Sequence, residues 1–472
     1  MVKEEGDFLS EVNRVNAIQL LIDFGSTFTK VIAVDLSREE IVARAQVPST
    51  VEEDITIGLK EALKKIDAEV NIGNLEKGQA LACSSAAGGL RIVCVGFVPE
   101  YTSRAATQAA LGAGAKVVGC YSYELTQPEL DEIKEISPDI LLLAGGTDGG
   151  DGKVIIHNAR MFSRSNITRS HIIVAGNKTA HDEIRSILGA AGKPVTFTKN
   201  VMPDVRTLDT EPCNREIREI FIKSIIEAKG IGKARTIVED IIMPTPSAVL
   251  SAAKLLAEGV NGDEGLGEVI TVDVGGATTD VHSIAHGNPT RGNVILTGLP
   301  EPYVKRTVEG DLGVRYSIST LIEHLRMKGI VLNGSFKQVV EKLSSRDRLP
   351  ESEEELACDK ALASVAVEIA VERHAGKIEL VYGPEGEMFI QRGKDLTGVR
   401  CVVGTGGPIA FSANAKDVLQ GVLFQETSPY VLRPKDPKLY VDEQYMLYAA
   451  GLLAQRNPKT ALHLMKKYLK EI

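Results

Sequence analysis

Residues 23–30 read Asp-Phe-Gly-Ser-Thr-Phe-Thr-Lys, and residues 273–280 read Asp-Val-Gly-Gly-Ala-Thr-Thr-Asp. Each stretch ends one apolar run and opens a second β-rich run, so each predicts a hairpin. An aspartate at the end of a strand, a glycine that admits a ligand to the backbone, and successive N–H groups are typical of a phosphate-binding loop. A single loop of this kind is often an ordinary turn, whereas two of them predict two related lobes around one polyphosphate.

The two loops supply most of the candidate site residues. Asp23 and Asp273 are candidate Mg²⁺ ligands, through water, because a carboxylate beside a phosphate needs a divalent cation between them. Asp23, Asp273 and Asp280 are candidate catalytic residues. For transfer of a phosphoryl group to water, either Asp273 or Asp280 could orient the attacking water. The candidate cofactor-binding residues are Gly25, Ser26, Thr27, Thr29 and Lys30 in the first loop, and Gly275, Gly276, Thr278 and Thr279 in the second.

A third glycine cluster, residues 404–408, reads Gly-Thr-Gly-Gly-Pro and follows an apolar strand. Adjacent glycines after a strand allow a flat ring or a ribose to pack against the backbone. Gly404, Gly406 and Gly407 are therefore candidate cofactor-binding residues, and a structural turn is the alternative.

Strand–helix alternation organises the rest of the chain. Short apolar runs between residues 80 and 198 alternate with helical segments, which predicts a parallel sheet covered on both faces. We expect a first lobe over 16–260 with an α/β insertion within about 80–200, and a second lobe over 265–440. Residues 441–472 are expected to form a connecting helix, over 441–455, and a basic tail. The Gly-rich strings at 84–89 and 144–150 are either partner contacts or tight turns.

Composition excludes several classes of protein. The 472 residues suggest about three domains. A net charge of −9, no Trp and 5% aromatic residues argue against nucleic-acid binding. The six cysteines include no CxxC pair, which argues against a zinc ribbon. The first 16 residues lack an apolar segment and no run reaches 18 apolar residues, so a cytoplasmic location without a membrane span is expected.

The three motifs, in this order, resemble those of the actin/Hsp70/sugar-kinase ATPase superfamily. The resemblance implies two lobes, each with a mixed five-stranded sheet, and ATP or ADP with Mg²⁺ in the cleft between them. Met243 stands where Hsp70-like proteins carry an acidic residue, so that carboxylate is missing here.

A narrower resemblance, to the MutL/GlmL family, extends from about Ile18 to Leu469. It is carried by LLIDFGSTFTKVIAVD, PSTVEEDITIGL, CSSAAGGLRIV, LLLAGGTDGG, VAGNK, MPTPSAV, VEGDLGVRYS, VGTGGPI and LYAAGLL. The resemblance implies an ATP-dependent reactivating factor for an adenosylcobalamin-dependent aminomutase or carbon-skeleton mutase, such as glutamate mutase. Such a factor would use ATP binding and hydrolysis to move its lobes and release damaged cobalamin from its client.

Other functions on the same fold stay open at this point. A small-molecule kinase would need an acceptor pocket, and no clear sugar-reading string is present. An FtsA-like scaffold would bind ATP and polymerise. An activator of radical dehydratases would need cysteines for an iron–sulfur cluster, and no cysteine pair here suits one.

Overall fold

The computed structural model describes residues 18–50, 53–72, 78–85, 90–227, 240–329, 334–343, 350–383 and 386–472. The predicted leader over residues 1–15 and the glycines of the 84–89 string lie outside these ranges. Within them, no helix combines the length and the apolar character that crossing a bilayer requires.

The first sheet is mixed and has five strands. They are β1 (Ile18–Phe24), β2 (Phe28–Asp35), β3 (Glu40–Pro48), β4 (Ala80–Ser84) and β10 (Asp240–Pro244). Their spatial order is β10-β4-β1-β2-β3. β1, β2 and β3 form an antiparallel meander, and β4 and β10 continue the sheet parallel to β1.

The second sheet repeats this arrangement. Its strands are β13 (Val269–Val274), β14 (Thr279–Ile284), β16 (Val304–Glu309), β19 (Cys401–Thr405), β20 (Lys438–Val441) and β21 (Lys470–Glu471). Their order is β16-β14-β13-β19-β20-β21, with β13 antiparallel to β14 and parallel to β19. The predicted duplication of mixed sheets is confirmed, and β21 adds an antiparallel edge strand to the second copy.

A third sheet lies between β4 and β10 in the chain. It contains β5 (Arg91–Val95), β6 (Lys116–Tyr121), β7 (Ile140–Leu143), β8 (His171–Val174) and β9 (Val195–Phe197), all parallel, in the order β6-β5-β7-β8-β9. Its helices are α2 (Arg104–Gly112), α3 (Gln127–Ile136), α4 (Lys153–Arg164) and α5 (His181–Ala190). We call residues 91–197 the insertion; it confirms the α/β insertion that the sequence predicts.

Two small sheets complete the strands. β11 (Gly259–Val260) and β12 (Asp263–Glu264) form a short hairpin in the predicted linker, and β15 (Val294–Leu296), β17 (Lys377–Gly383) and β18 (Gly386–Arg392) form a three-stranded sheet. The remaining helices are α1 (Ile55–Val70), α6 (Glu211–Glu227), α7 (Thr245–Glu258), α8 (Ile318–Met327), α9 (Gly334–Leu343), α10 (Glu353–His374), α11 (Gly407–Ala410), α12 (Ala415–Leu419), α13 (Leu447–Leu453) and α14 (Pro458–Tyr468).

The expected connecting helix over 441–455 begins six residues later, at Leu447. The helix starts later because the carboxylate of Asp442 accepts hydrogen bonds from the backbone N–H groups of Met446 and Leu447. Local side-chain acceptors of this kind compete with helical hydrogen bonds. Tyr445, in the same turn, has a left-handed backbone with φ of 52°.

Helices α7 and α13 pack together in the core that links the two sheets. This core takes Leu21 and Ile32 from the first sheet and Val269 and Val403 from the second. The two helices touch at small residues: a Cβ on Gly451 would lie 1.8 Å from the carbonyl oxygen of Ala248. Only glycine allows the two helices to approach this closely. The close packing of α7 and α13 brings the two sheets together, so that the β1–β2 and β13–β14 hairpins meet at one cleft.

Candidate functional site

The two hairpins end in turns of the same length and bonding. In the first turn (residues 25–28) the N–H of Gly25 donates to the carbonyl of Phe28 at 3.1 Å, and in the second turn (residues 275–278) Gly275 donates to Thr278 at 2.9 Å. Gly25 is required at its position, because a Cβ there would lie 2.5 Å from the carbonyl oxygen of Phe28. The backbones of the two turns are therefore equivalent elements of the duplicated sheets.

Both turns line one cleft of about 220 Å³. Most predicted site residues lie on its wall: Asp23, Gly25, Ser26, Thr27, Lys30, Asp273, Gly275, Gly276, Thr278, Asp280 and Gly407. The structure thus brings together residues from both ends of the predicted pattern, as two lobes that share one ligand require.

In the first hairpin, Asp23 is fully engaged. Strand register places it opposite Lys30, and the ammonium lies 3.2 Å from its Oδ2. The hydroxyl of Thr245, at the start of α7, donates to its Oδ1 at 2.6 Å. Burial alone would lower the pKa of Lys30, but its interactions with Tyr445 and Asp23 outweigh burial and hold that pKa above the ordinary value. The negative charge of Asp23 is thereby balanced by the ammonium of Lys30.

In the second hairpin, Asp273 has no such partner. Its Oδ1 is enclosed and forms no hydrogen bond with any residue that the structure describes. Strand register places Asp280 opposite it, so the facing residue is a second carboxylate. Burial, followed by the negative charge of Asp280, raises the pKa of Asp273 to about 7. This carboxyl group is suited to bind a cation or to accept a proton.

Asp280 is held by an arginine from the neighbouring strand. The Nε of Arg306, on β16, donates to Asp280 Oδ1 at 2.8 Å, and Nη2 lies 2.6 Å from the same oxygen. The hydroxyl of Thr278 donates to Oδ2 at 2.9 Å. Because both oxygens of Asp280 are occupied, Asp273 is the better placed of the two aspartates to orient a water.

The third motif contributes one wall of the cleft. Gly407 begins α11 and lines the cleft with Pro408 and Phe411. Gly406 lies one residue earlier with φ of 91°, and a Cβ there would lie 2.2 Å from the carbonyl oxygen of Val274. Its role is to let the chain pass the end of β13.

Four predicted site residues do not reach the cleft wall. Thr29 and Thr279 are buried on the opposite face of their strands from Lys30 and Asp280, because side chains alternate along a strand. Thr279 donates to the carbonyl of Leu312 at 2.8 Å instead. Gly404 lies inside β19, where a Cβ would meet Ile409 at 2.8 Å, and Gly406 supports the turn just described.

Several cleft residues have no counterpart in the sequence prediction. They are Lys116, Thr245, Arg306, Arg315 and Tyr445, with Asp442 buried behind them. The Lys30 ammonium lies 3.9 Å from the centre of the Tyr445 ring. Burial also raises the pKa of Asp442, which accepts from the Thr405 hydroxyl at 3.0 Å. The alternation rule could have excluded Thr29 and Thr279, but no local pattern marked Tyr445 or Arg306.

Comparison with known proteins identifies the family of this chain. The model of the MutL protein family matches residues 19–469. The chain belongs to the MutL family. "Protein MutL" of Clostridium tetanomorphum is 46% identical over 462 residues, which cover 96% of this chain and 99% of that protein. The family resemblance carried by the motifs is thus confirmed across nearly the whole chain.

Solved structures give weaker similarities to this MutL-family chain. The ethanolamine utilization protein EutJ from Carboxydothermus hydrogenoformans is 10% identical, with 94% of this chain and 89% of that chain covered and a TM-score of 0.29. Plasmodium falciparum glycerol kinase with ADP is 11% identical, with coverage of 95% and 92% and a TM-score of 0.34. At these TM-scores, the evidence for two lobes with duplicated mixed sheets is the repeated strand order, not superposition on these structures.

Proposed function

We propose that this MutL-family protein hydrolyses ATP in the cleft and uses the resulting lobe motion to reactivate an adenosylcobalamin-dependent mutase. The observation that carries the ATPase proposal is the pair of equivalent turns facing one cleft beside an unpartnered, enclosed carboxylate, Asp273. Backbone N–H groups of two such turns can hold a polyphosphate from both sides. The client follows from the family resemblance of the motifs.

The residues present fit a magnesium ion. Asp273 offers an oxygen without a hydrogen bond among the described residues, and a cation beside it would offset the repulsion from Asp280. Among those residues no cluster of three ligating side chains exists, so the phosphates and water would complete the coordination. Asp273 would hold the ion, with Asp23 behind it through water. When bound, Mg²⁺ would neutralise charge that develops on the phosphates.

The protein's own residues would supply positioning. The N–H groups and hydroxyls of Ser26 and Thr27, with the backbone N–H of Thr278, would orient phosphate oxygens. Gly407 and Phe411 would bound the adenosine. Asp273 would orient the attacking water, since Asp280 is committed to Arg306. Phosphoryl transfer needs such positioning and charge neutralisation more than covalent catalysis. Contact of both lobes with the terminal phosphate favours closure with ATP and opening with ADP.

The proposal is tested in two stages with the full chain. Phosphate release from ATP, with and without Mg²⁺, tests the ATPase step, and Asp273→Asn serves as the inactive control. A mutase inactivated with cyanocobalamin is then incubated with the chain and ATP, and release of the damaged cofactor and recovery of activity are measured. Recovery that requires ATP and fails with Asp273→Asn supports the proposal. Phosphorylation of an added polyol would instead indicate a kinase, and ATP-dependent polymers in light scattering would indicate a scaffold.

A further inference from the structure

The insertion reaches the cleft through one short turn. Helix α2 ends at Gly112 and β6 begins at Lys116, and Gly114 and Lys116 line the cleft together with the first and second turns. A wall of the candidate nucleotide site is therefore made by an element outside the two duplicated sheets.

This turn is fixed to both lobes by hydrogen bonds. The hydroxyl of Ser247, in the first turn of α7, donates to the carbonyl of Ala113 at 3.0 Å. The Nη1 of Arg306 donates to the carbonyls of Leu111 and Ala115, each at 3.1 Å. Since Arg306 also holds Asp280, the turn is connected directly to the second hairpin.

Among the described residues, Lys116 is the cation of the cleft that has no carboxylate partner. Lys30 pairs with Asp23, Arg306 with Asp280 and Arg315 with Asp359. The Lys116 ammonium instead lies against the backbone of Gly310, where a Cβ on that glycine would come within 2.8 Å of Nζ. Across the described residues, no carboxylate lies within ion-pair distance of it, so its charge is available to a ligand.

Sheet order indicates which part of a nucleotide Lys116 would meet. In the second sheet β13 has β19 on one side, and β14 and then β16 on the other. The adenosine wall at Gly407 follows β19, whereas Lys116 lies beside Gly310, directly after β16. A nucleotide with its base at the β19 side would extend its phosphates past Asp273 toward Lys116.

We propose that Lys116 binds the terminal phosphate of ATP and that the insertion thereby distinguishes ATP from ADP. The inference rests on the proposed ATP site and adds a residue and an output element to it. With ADP the contact to Lys116 is absent, and the α2–β6 turn keeps the bonds to Ser247 and Arg306 that it has without a nucleotide. Residues 104–121 would therefore be held more tightly with ATP than with ADP.

The test compares ATP and ADP binding by calorimetry in the full chain and in Lys116→Gln. We expect the variant to bind a non-hydrolysable ATP analogue about tenfold more weakly, because it loses one charge-assisted hydrogen bond, with ADP affinity unchanged. Lys116→Arg should retain most of the preference. Lys134→Gln, which removes an exposed charge on α3 of the insertion, should behave as wild type.

Hydrogen exchange gives a readout that a merely structural role would not change. In wild type, residues 104–121 should exchange more slowly with the ATP analogue than with ADP, and in Lys116→Gln the two nucleotides should give equal exchange. Equal loss of ATP and ADP affinity in Lys116→Gln, or no loss of either, would overturn the inference and leave the ATP site intact. A wild-type chain that binds neither nucleotide would instead refute the proposed function itself.

Discussion

The two hairpins share a backbone and differ in charge. Each has an aspartate at the end of its first strand and a turn closed by the same hydrogen bond from glycine. The residue opposite that aspartate is Lys30 in the first hairpin and Asp280 in the second. The first aspartate is consequently neutralised inside the protein, while the second is left with an enclosed oxygen that no described residue satisfies.

This difference shows how a duplicated fold divides its tasks. A buried ion pair holds the first hairpin in place against α7 and Tyr445. A buried carboxylate without a partner is unfavourable in the free protein and becomes favourable when a cation binds. We therefore propose that the first hairpin supports the site and that the second carries its reactivity.

The largest expected effect is on hydrolysis in Asp273→Asn. We expect phosphate release from Mg-ATP to fall by about 100-fold or more, because the substitution removes the carboxylate that we propose to hold the cation and orient the water. The circular dichroism spectrum should be unchanged, since asparagine has the same shape and removes an unpaired charge. Turnover at the wild-type rate would remove Asp273 from the site.

The converse substitution, Asp23→Asn, should act on stability. It leaves the Lys30 ammonium, 16% exposed, without its carboxylate, and we expect a loss of about 3 kcal/mol. Chemical denaturation measures this, with Asp273→Asn in parallel as the matched variant of the second hairpin. If the two substitutions destabilise the free protein equally, the contrast between the hairpins is mistaken.

The raised pKa of Asp273 predicts a dependence of stability on pH. Between its ordinary value of 3.8 and about 7 the folded protein keeps a proton that the unfolded chain has released. The contribution of Asp273 to the stability of the metal-free protein should therefore be most favourable below the lower value, fall as pH rises toward 7, and then level off. The full change is on the order of 4 kcal/mol.

Denaturation with a chelator present, at intervals from pH 4 to pH 8, measures this dependence. Asp273→Asn lacks the titrating group, so its stability relative to wild type should increase over the same interval. A constant difference between the two proteins would show that Asp273 does not titrate there.

Much of this comparison could be predicted from the sequence, because it follows from local patterns. The strand–aspartate–glycine motif fixed both hairpins, and their repetition indicated the duplicated sheets. Alternation along the strand then determines that Lys30 and Asp280, rather than Thr29 and Thr279, face the cleft. Successive side chains of a strand lie on opposite faces of the sheet, so Thr29 and Thr279 cannot contact a ligand bound on the face of Lys30 and Asp280.

The remainder depends on contacts between distant segments. Arg306 meets Asp280 because β16 pairs with β14, and Thr245 meets Asp23 because β10 joins the edge of the first sheet. Neither β10 nor β16 has an apolar run strong enough to predict a strand. Likewise the turn at Asp442 delays α13 through side-chain hydrogen bonds that helical periodicity does not reveal.

The smallest expected effect is on stability, when one hydroxyl that donates to an aspartate of each hairpin is removed. Thr245→Val removes the 2.6 Å hydrogen bond to Asp23 Oδ1, whose remaining contact is the Cys83 thiol at 3.7 Å, so we expect a loss of about 1 kcal/mol. Thr278→Val removes a longer bond, of 2.9 Å, to Asp280 Oδ2, and the other oxygen of that aspartate keeps two nitrogens of Arg306. Thermal denaturation should show a smaller shift for Thr278→Val. A larger shift for Thr278→Val would mean that the second hairpin, not the first, depends on its internal contacts for rigidity.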